Sequence, residues 1–89
     1  MTTTETVLAK MKARAGQQPT ATLCEALVML AGMPSTQETR MTRAAMLDVL
    51  CERHPEADAA ADAWAESDSY DHAEHDAAVI GAALAAIGA

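Results

Sequence analysis

The sequence of 89 residues is poor in aromatic side chains, with no phenylalanine, one tryptophan and one tyrosine. Glycine occurs four times and proline three times, which is too rare for a flexible linker or a low-complexity region. Alternation of apolar and polar residues, the pattern of a half-buried strand, runs for only a few positions. The absence of this pattern disfavours β architectures, and the length predicts a single domain over residues 1–89.

Several functional motifs are also absent. The chain has no P-loop, no GxGxxG, no GxSxG and no CxxC, so we expect no enzyme activity and no cofactor. A basic segment followed by an apolar one, as in a secretory signal peptide, is missing from the first residues. Cys24 and Cys51 are therefore predicted to be reduced thiols of a cytoplasmic protein, with a disulfide between helices or a redox pair left open as the alternatives.

Alanine is abundant, at 22 residues, and it favours helices that pack closely over small side chains. Stop signals at Gly16, Gly32 and Pro55 and the polar stretch 67–70 divide the chain into helical segments. The third helix has two candidate starts, because Ser35 and Glu38 have the spacing of a capping box and Thr42 is a second N-cap residue. The predicted helices cover residues 4–15, 20–32, 35–54 or 42–54, 55–66 and 71–88. The fold predicted is all-α, a compact bundle of four to five short helices.

The predicted core is centred on the second helix. Residues 23–31 are apolar nearly all round, which is typical of a helix that is surrounded by others. The core is expected to contain Leu23, Leu27, Leu30, Leu47, Leu50, Trp64, Ile80 and Leu84.

Charge is distributed unevenly along the chain. Residues 1–55 contain five acids and six bases, whereas residues 56–76 contain eight acids and no base. The net charge of −7 disfavours nucleic acid and anionic membranes as partners and favours another protein with a basic surface. A solvated face that keeps an alanine-rich protein soluble is the alternative. The predicted partner-binding residues are Glu56, Asp58, Asp62, Glu66, Asp68, Asp71, Glu74 and Asp76.

Two histidines lie at the start of the fifth helix, within this acidic stretch. His72 and His75 are three residues apart, next to Asp71, Glu74 and Asp76, and these are residue types that bind Zn²⁺. No further ligand follows at a characteristic spacing, so no metal site is predicted. An acidic first turn that satisfies the helix dipole is the favoured interpretation.

Arg40 and Arg43, near the start of the third helix, raise the alternative of a small helix-turn-helix DNA-binding regulator. Recognition helices of that class place basic side chains at their N-terminal end. This alternative requires both arginines to be exposed together on one helix.

The last segment, residues 77–89, carries no charge and has a small residue at every fourth position. Small residues at this spacing let two helix backbones approach closely. Packing inside the monomer is favoured, and the seam of a homodimer remains open as the second use. The dimer interface would contain Ala77, Gly81, Leu84 and Ala85, with Ala89 continuing the spacing.

Residues 41–57, MTRAAMLDVLCERHPEA, resemble a segment of small uncharacterised helical proteins from actinobacterial phages and mobile elements. The resemblance covers about a fifth of the chain and transfers no site residue. It implies an accessory protein that inhibits a host complex, as anti-CRISPR proteins do. Together with the charge distribution, it favours a non-enzymatic protein-binding module over a DNA-binding regulator or a homodimeric accessory protein.

Overall fold

The computed structural model describes residues 3–68 and 70–88 and folds them into five helices, with no strand in these ranges. The Cα radius of gyration is 12.7 Å, close to the value of about 12 Å for a compact chain of this length. The predicted all-α bundle is confirmed. No helix in these ranges is both long enough and apolar enough to cross a bilayer. The helices are α1 (Thr3–Ala15), α2 (Thr20–Ala31), α3 (Gln37–Arg53), α4 (Pro55–Glu66) and α5 (His72–Ala86).

The junction between α3 and α4 is a corner of one residue, His54. Its backbone N–H donates to the carbonyl of Leu50 at 2.9 Å and ends α3. Pro55 follows at the first position of α4, where its missing N–H is not needed. The His54 ring Nε2 lies 2.8 Å from the hydroxyl of Thr20 at the start of α2. The corner is therefore fixed to α2 as well as joining two helices.

The turn between α1 and α2 is held by Arg53, in the last turn of α3. Its guanidinium donates to the carbonyls of Gly16 and Gln18, each at 2.6 Å. Carbonyls at the end of a helix have no partner within the helix, and a basic side chain often satisfies them. The stop predicted at Gly16 is confirmed, and α3 fastens the turn that follows it.

The N-cap of α3 lies one residue after the first predicted candidate, Ser35, and the second candidate, Thr42, lies inside the helix. Thr36, not Ser35, is the N-cap, and its hydroxyl accepts from the backbone N–H of Thr39 at 3.1 Å. The Thr39 hydroxyl in turn accepts from the Thr36 N–H at 2.8 Å. Thr39 thus takes the role that the S-x-x-E spacing assigned to Glu38, because a threonine hydroxyl at this position can also reach the cap.

The central helix is α3, which packs against all four other helices. It contributes four residues with almost no exposed surface: Ala45, Leu47, Val49 and Leu50. The other helices add Ala15, Leu23, Cys24, Leu27, Ala57, Val79 and Ala83 to the buried core.

The prediction that α2 is the central helix is wrong. One stripe of α2 is buried, whereas Val28 and Met29 are 63% and 72% exposed. A run that is apolar on every side does not reveal which side faces the core. The central position belongs to the longest helix, whose polar residues flank a buried stripe.

The predicted core is confirmed in part. Trp64 is half-buried and lies outside the core cluster. On α5, the fully buried positions are Val79 and Ala83, so the helix is rotated relative to the predicted inward line. Ala57 of α4 is also fully buried and belongs to the core cluster. Leu23, Leu27, Leu47 and Leu50 are buried as predicted, and Leu30, Ile80 and Leu84 pack half-buried against them.

Candidate functional site

Seven of the eight predicted partner-binding acids are exposed on α4, the turn after it and the start of α5. Asp68 occupies this turn with a positive φ of 63°, a conformation that aspartate tolerates better than most residues. We call these seven residues the acidic surface: Glu56, Asp58, Asp62, Glu66, Asp68, Asp71 and Glu74.

The eighth acid, Asp76, does not belong to this surface because it is half-buried in an ion pair. The guanidinium of Arg43 in α3 donates two hydrogen bonds to its carboxylate, from Nε to Oδ2 at 2.5 Å and from Nη2 to Oδ1 at 2.7 Å. The His75 Nδ1 lies 2.9 Å from the same carboxylate. The side chains of Arg43 and Asp76 are only 31% and 16% exposed. The prediction that Asp76 is a partner-binding residue therefore disagrees with its half-buried, paired position.

The ion pair controls the protonation of Asp76. Burial by itself raises the pKa of this carboxyl, but hydrogen bonds from Arg43 and His75 outweigh burial and hold the pKa below its usual value. The hydrogen bond to Asp76 likewise raises the pKa of the Arg43 guanidinium. Both groups are charged at neutral pH, and each neutralises the other.

The same pair bears on the DNA-binding alternative. Arg40 is exposed, but Arg43 is turned toward α5 and committed to Asp76. A phosphate contact by Arg43 would leave a half-buried carboxylate without its counter-charge. The two arginines thus do not form the exposed basic pair that a recognition helix needs.

His72 and His75, for which no metal site was predicted, pack on Trp64. The His72 ring centroid lies 5.6 Å from the indole and the His75 centroid 4.9 Å, the latter in an edge-to-face arrangement. The indole Nε1 is buried and has no hydrogen-bond partner among the described residues. Across residues 3–68 and 70–88, no three histidine, cysteine or acidic side chains converge as a metal site would require.

These rings form one wall of a groove of about 460 Å³ between α3, α4 and α5. We call it the α3–α4–α5 groove. Its lining combines apolar side chains of α3 and α4, the rings of Trp64, His72 and His75, and the carboxylates of Asp48 and Asp58. An apolar surface with aromatic rings and a few charged groups is typical of a recognition site.

Cys51 also lines this groove, and the pKa of its thiol is affected by the nearby carboxylates. Burial raises the pKa of Cys51, and the charges of Asp58, Asp48 and Asp62 raise it further. The carboxylates of two helices therefore act together at this point. A thiol held protonated in this way is a poor nucleophile. Cys24 is a second free thiol, and burial raises its pKa too.

The stripe of small residues on α5 faces outward. Ala77, Gly81 and Ala85 are exposed, and a Cβ added to Gly81 would meet nothing within 4 Å. The favoured use of this stripe, packing inside the monomer, is therefore wrong. Leu84 belongs to the half-buried layer against the core, and Ala89 lies outside the described residues. The homodimer seam stays a prediction.

Sequence reasoning found the acidic stretch but missed the groove beside it. Asp48 belongs to α3, outside that stretch, and joins Asp58 only because the corner at His54 folds α4 back along α3. Trp64 was assigned to the core, whereas its ring lines the groove. No local pattern joins residues of three helices.

No family model, curated protein or solved structure matches this chain.

Proposed function

We propose that this protein is a non-catalytic binding module that docks its acidic surface on a basic surface of another protein. The supporting observation is that seven carboxylates are exposed on one stretch of chain that contains no lysine or arginine. The rest of the chain, residues 1–55, has a balance of one positive charge, from six bases and five acids. Negative charge is thus concentrated on one part of a nearly neutral helical body.

The physical role of this surface is to speed association and select the partner. Complementary charge steers an encounter and excludes partners with like charge, while apolar contacts supply most of the affinity. Both cysteines are free, in keeping with a reducing compartment, so the proposal places the interaction in the cytoplasm.

The resemblance of residues 41–57 to phage and mobile-element proteins extends the proposal to the outcome of binding. It adds the expectation that the partner is a host complex and that binding inhibits it. An acidic surface is suited to cover a basic site that otherwise binds nucleic acid, because the positive charges of that site attract both phosphate groups and carboxylates.

Binding to such a partner should depend strongly on salt and on the acidic surface itself. The immobilised protein is expected to retain a partner from a lysate of its source cells. The amount of partner retained should be about five-fold lower at roughly 300 mM salt than at roughly 50 mM salt. Changing Asp62→Asn together with Glu66→Gln should lower retention at low salt, because it removes two charges from the docking face.

The matched control changes Glu25→Gln and Glu38→Gln, two exposed acids outside the acidic surface. Both double variants move the net charge from −7 to −5, by removal of two acids. The control should retain the partner at nearly the original level. Retention that is indifferent to salt, or that falls equally in both variants, would contradict docking by the acidic surface.

A second candidate function is self-association through α5, favoured by the outward position of Ala77, Gly81 and Ala85. This face carries no charge, so two copies can bring it together without direct repulsion. Sedimentation should then give twice the chain mass of 9.3 kDa, and Gly81→Arg should give single chains because its new side chain blocks close approach. Ala13→Arg, on the exposed side of α1, is the control. A wild-type protein that sediments as single chains rules this candidate out.

A further inference from the structure

We propose that the α3–α4–α5 groove receives an arginine side chain of the partner, between the Trp64 ring and the carboxylates of Asp48 and Asp58. This inference rests on the proposed function, since it assigns a recognition site next to the acidic surface. It also states what the partner must present, namely an exposed arginine on a basic surface.

The lining matches the two parts of an arginine side chain. Ala44 and Ala61, which are both partly exposed, provide apolar surface against which its methylene groups can pack. Trp64 is half-buried, and the exposed part of its ring is available to a planar guanidinium. Indole is the aromatic group that attracts cations most strongly.

The charge of the groove favours a cation. Asp48 and Asp58 are exposed acids on facing helices, and both line the groove. Arg43 lines it too, but the Asp76 carboxylate balances its charge, so this ion pair presents no net positive charge to an incoming guanidinium. Arg43 and Asp76 are themselves a guanidinium bound to a carboxylate, and this pair lies next to the His75 ring.

Arginine fits this site better than lysine. The guanidinium is planar, donates in two directions and stacks on an aromatic face, whereas an ammonium is a compact and strongly hydrated charge. A site that offers a ring together with carboxylates from two helices can use these additional properties. A purely electrostatic surface would not distinguish the two residues.

The test uses the intact protein and a short peptide in which arginines alternate with glycines. Trp64 is the one tryptophan of the chain, so its fluorescence reports directly on the groove. Titration should change the Trp64 emission, and the arginine peptide should bind at least about three-fold more tightly than the same peptide with lysines. Equal affinity for the two peptides, or binding that leaves the Trp64 emission unchanged, overturns the groove as an arginine site.

Two variants of equal charge separate this inference from the proposed function. Asp58→Asn removes a carboxylate that lines the groove, and Glu66→Gln removes one from the same helix that does not. We expect Asp58→Asn to weaken arginine-peptide binding about three- to five-fold and Glu66→Gln less than about 1.5-fold. If both variants lose affinity for the arginine peptide equally, and binding still depends on salt, the groove is not an arginine site. The proposed docking by the acidic surface would not be affected by that result. If the peptide does not bind at low salt, the groove is wrong, and salt-sensitive retention of the cellular partner then decides the proposed function separately.

Discussion

Replacing Leu50 by alanine is expected to lower the free energy of unfolding by about 3 kcal/mol. Leu50 is fully buried in α3, the helix that packs against all four others. Relaxation of the neighbouring helices closes only part of the cavity left by the lost side chain, because α2 and α4 are also held in place by α5. A domain of this size has roughly 5–15 kcal/mol in total, so the loss is a large fraction. Urea unfolding followed by circular dichroism measures it.

Met29→Ala is the control for this prediction. Met29 is also a large apolar residue, but it lies on the outer side of α2 and is 72% exposed. Its removal should change the free energy of unfolding by less than about 0.5 kcal/mol. If Met29→Ala costs as much as Leu50→Ala, the outer side of α2 is covered in solution and the arrangement of helices around α3 is incomplete.

The ends of the helices could be predicted because the signals for them are local. Gly16 ends α1, and Pro55 separates α3 from α4, as expected from the backbone properties of these two residues. The prediction at the start of α3 was shifted by one residue, since adjacent Ser35 and Thr36 can both act as caps and the side chain of Thr39 decides between them.

The arrangement of the helices could not be predicted in the same way. Hydrophobic periodicity shows which face of a helix is apolar, not which neighbour covers it. In α2 residues 23–31 are apolar on nearly every side, so the exposure of Val28 could not be foreseen. In α5 several alanines compete for the inward side, and Val79 rather than Ile80 takes the fully buried position.

The candidate site shows the same division between local and long-range information. The exposed acids of α4 follow directly from composition and charge. The pairing of Arg43 with Asp76 joins residues 33 positions apart, and nothing in either local sequence selects the other. That pairing also decides which of the eight acids can bind a partner, so the chemistry of the surface depends on the tertiary fold.

Arg43→Ala is expected to lower the free energy of unfolding by about 1–2 kcal/mol. Two charge-assisted hydrogen bonds are lost, each worth about 1.5–3 kcal/mol in a buried setting and less where solvent screens it. Asp76, only 16% exposed, is then left without its counter-charge. Arg40→Ala removes the same charge from an exposed position one helical turn earlier and should change stability by less than about 0.5 kcal/mol. Equal effects of the two variants would contradict a structural role for the pair.

The contribution of the pair should disappear in acid. Because the pKa of Asp76 is lower in the folded chain than its ordinary value near 4, unfolding takes up a proton in the pH range between the two values. The stabilisation is therefore fully present above about pH 4 and is lost as the pH falls through the lowered value. Urea unfolding of the wild type and Arg43→Ala at several pH values below neutral should show their difference shrinking as the pH falls, because Asp76 becomes protonated first in the variant, where burial raises its pKa, and at lower pH in the wild type. A difference that stays constant to lower pH would mean that Arg43 stabilises α3 and α5 through the packing of its methylene groups and not through its charge.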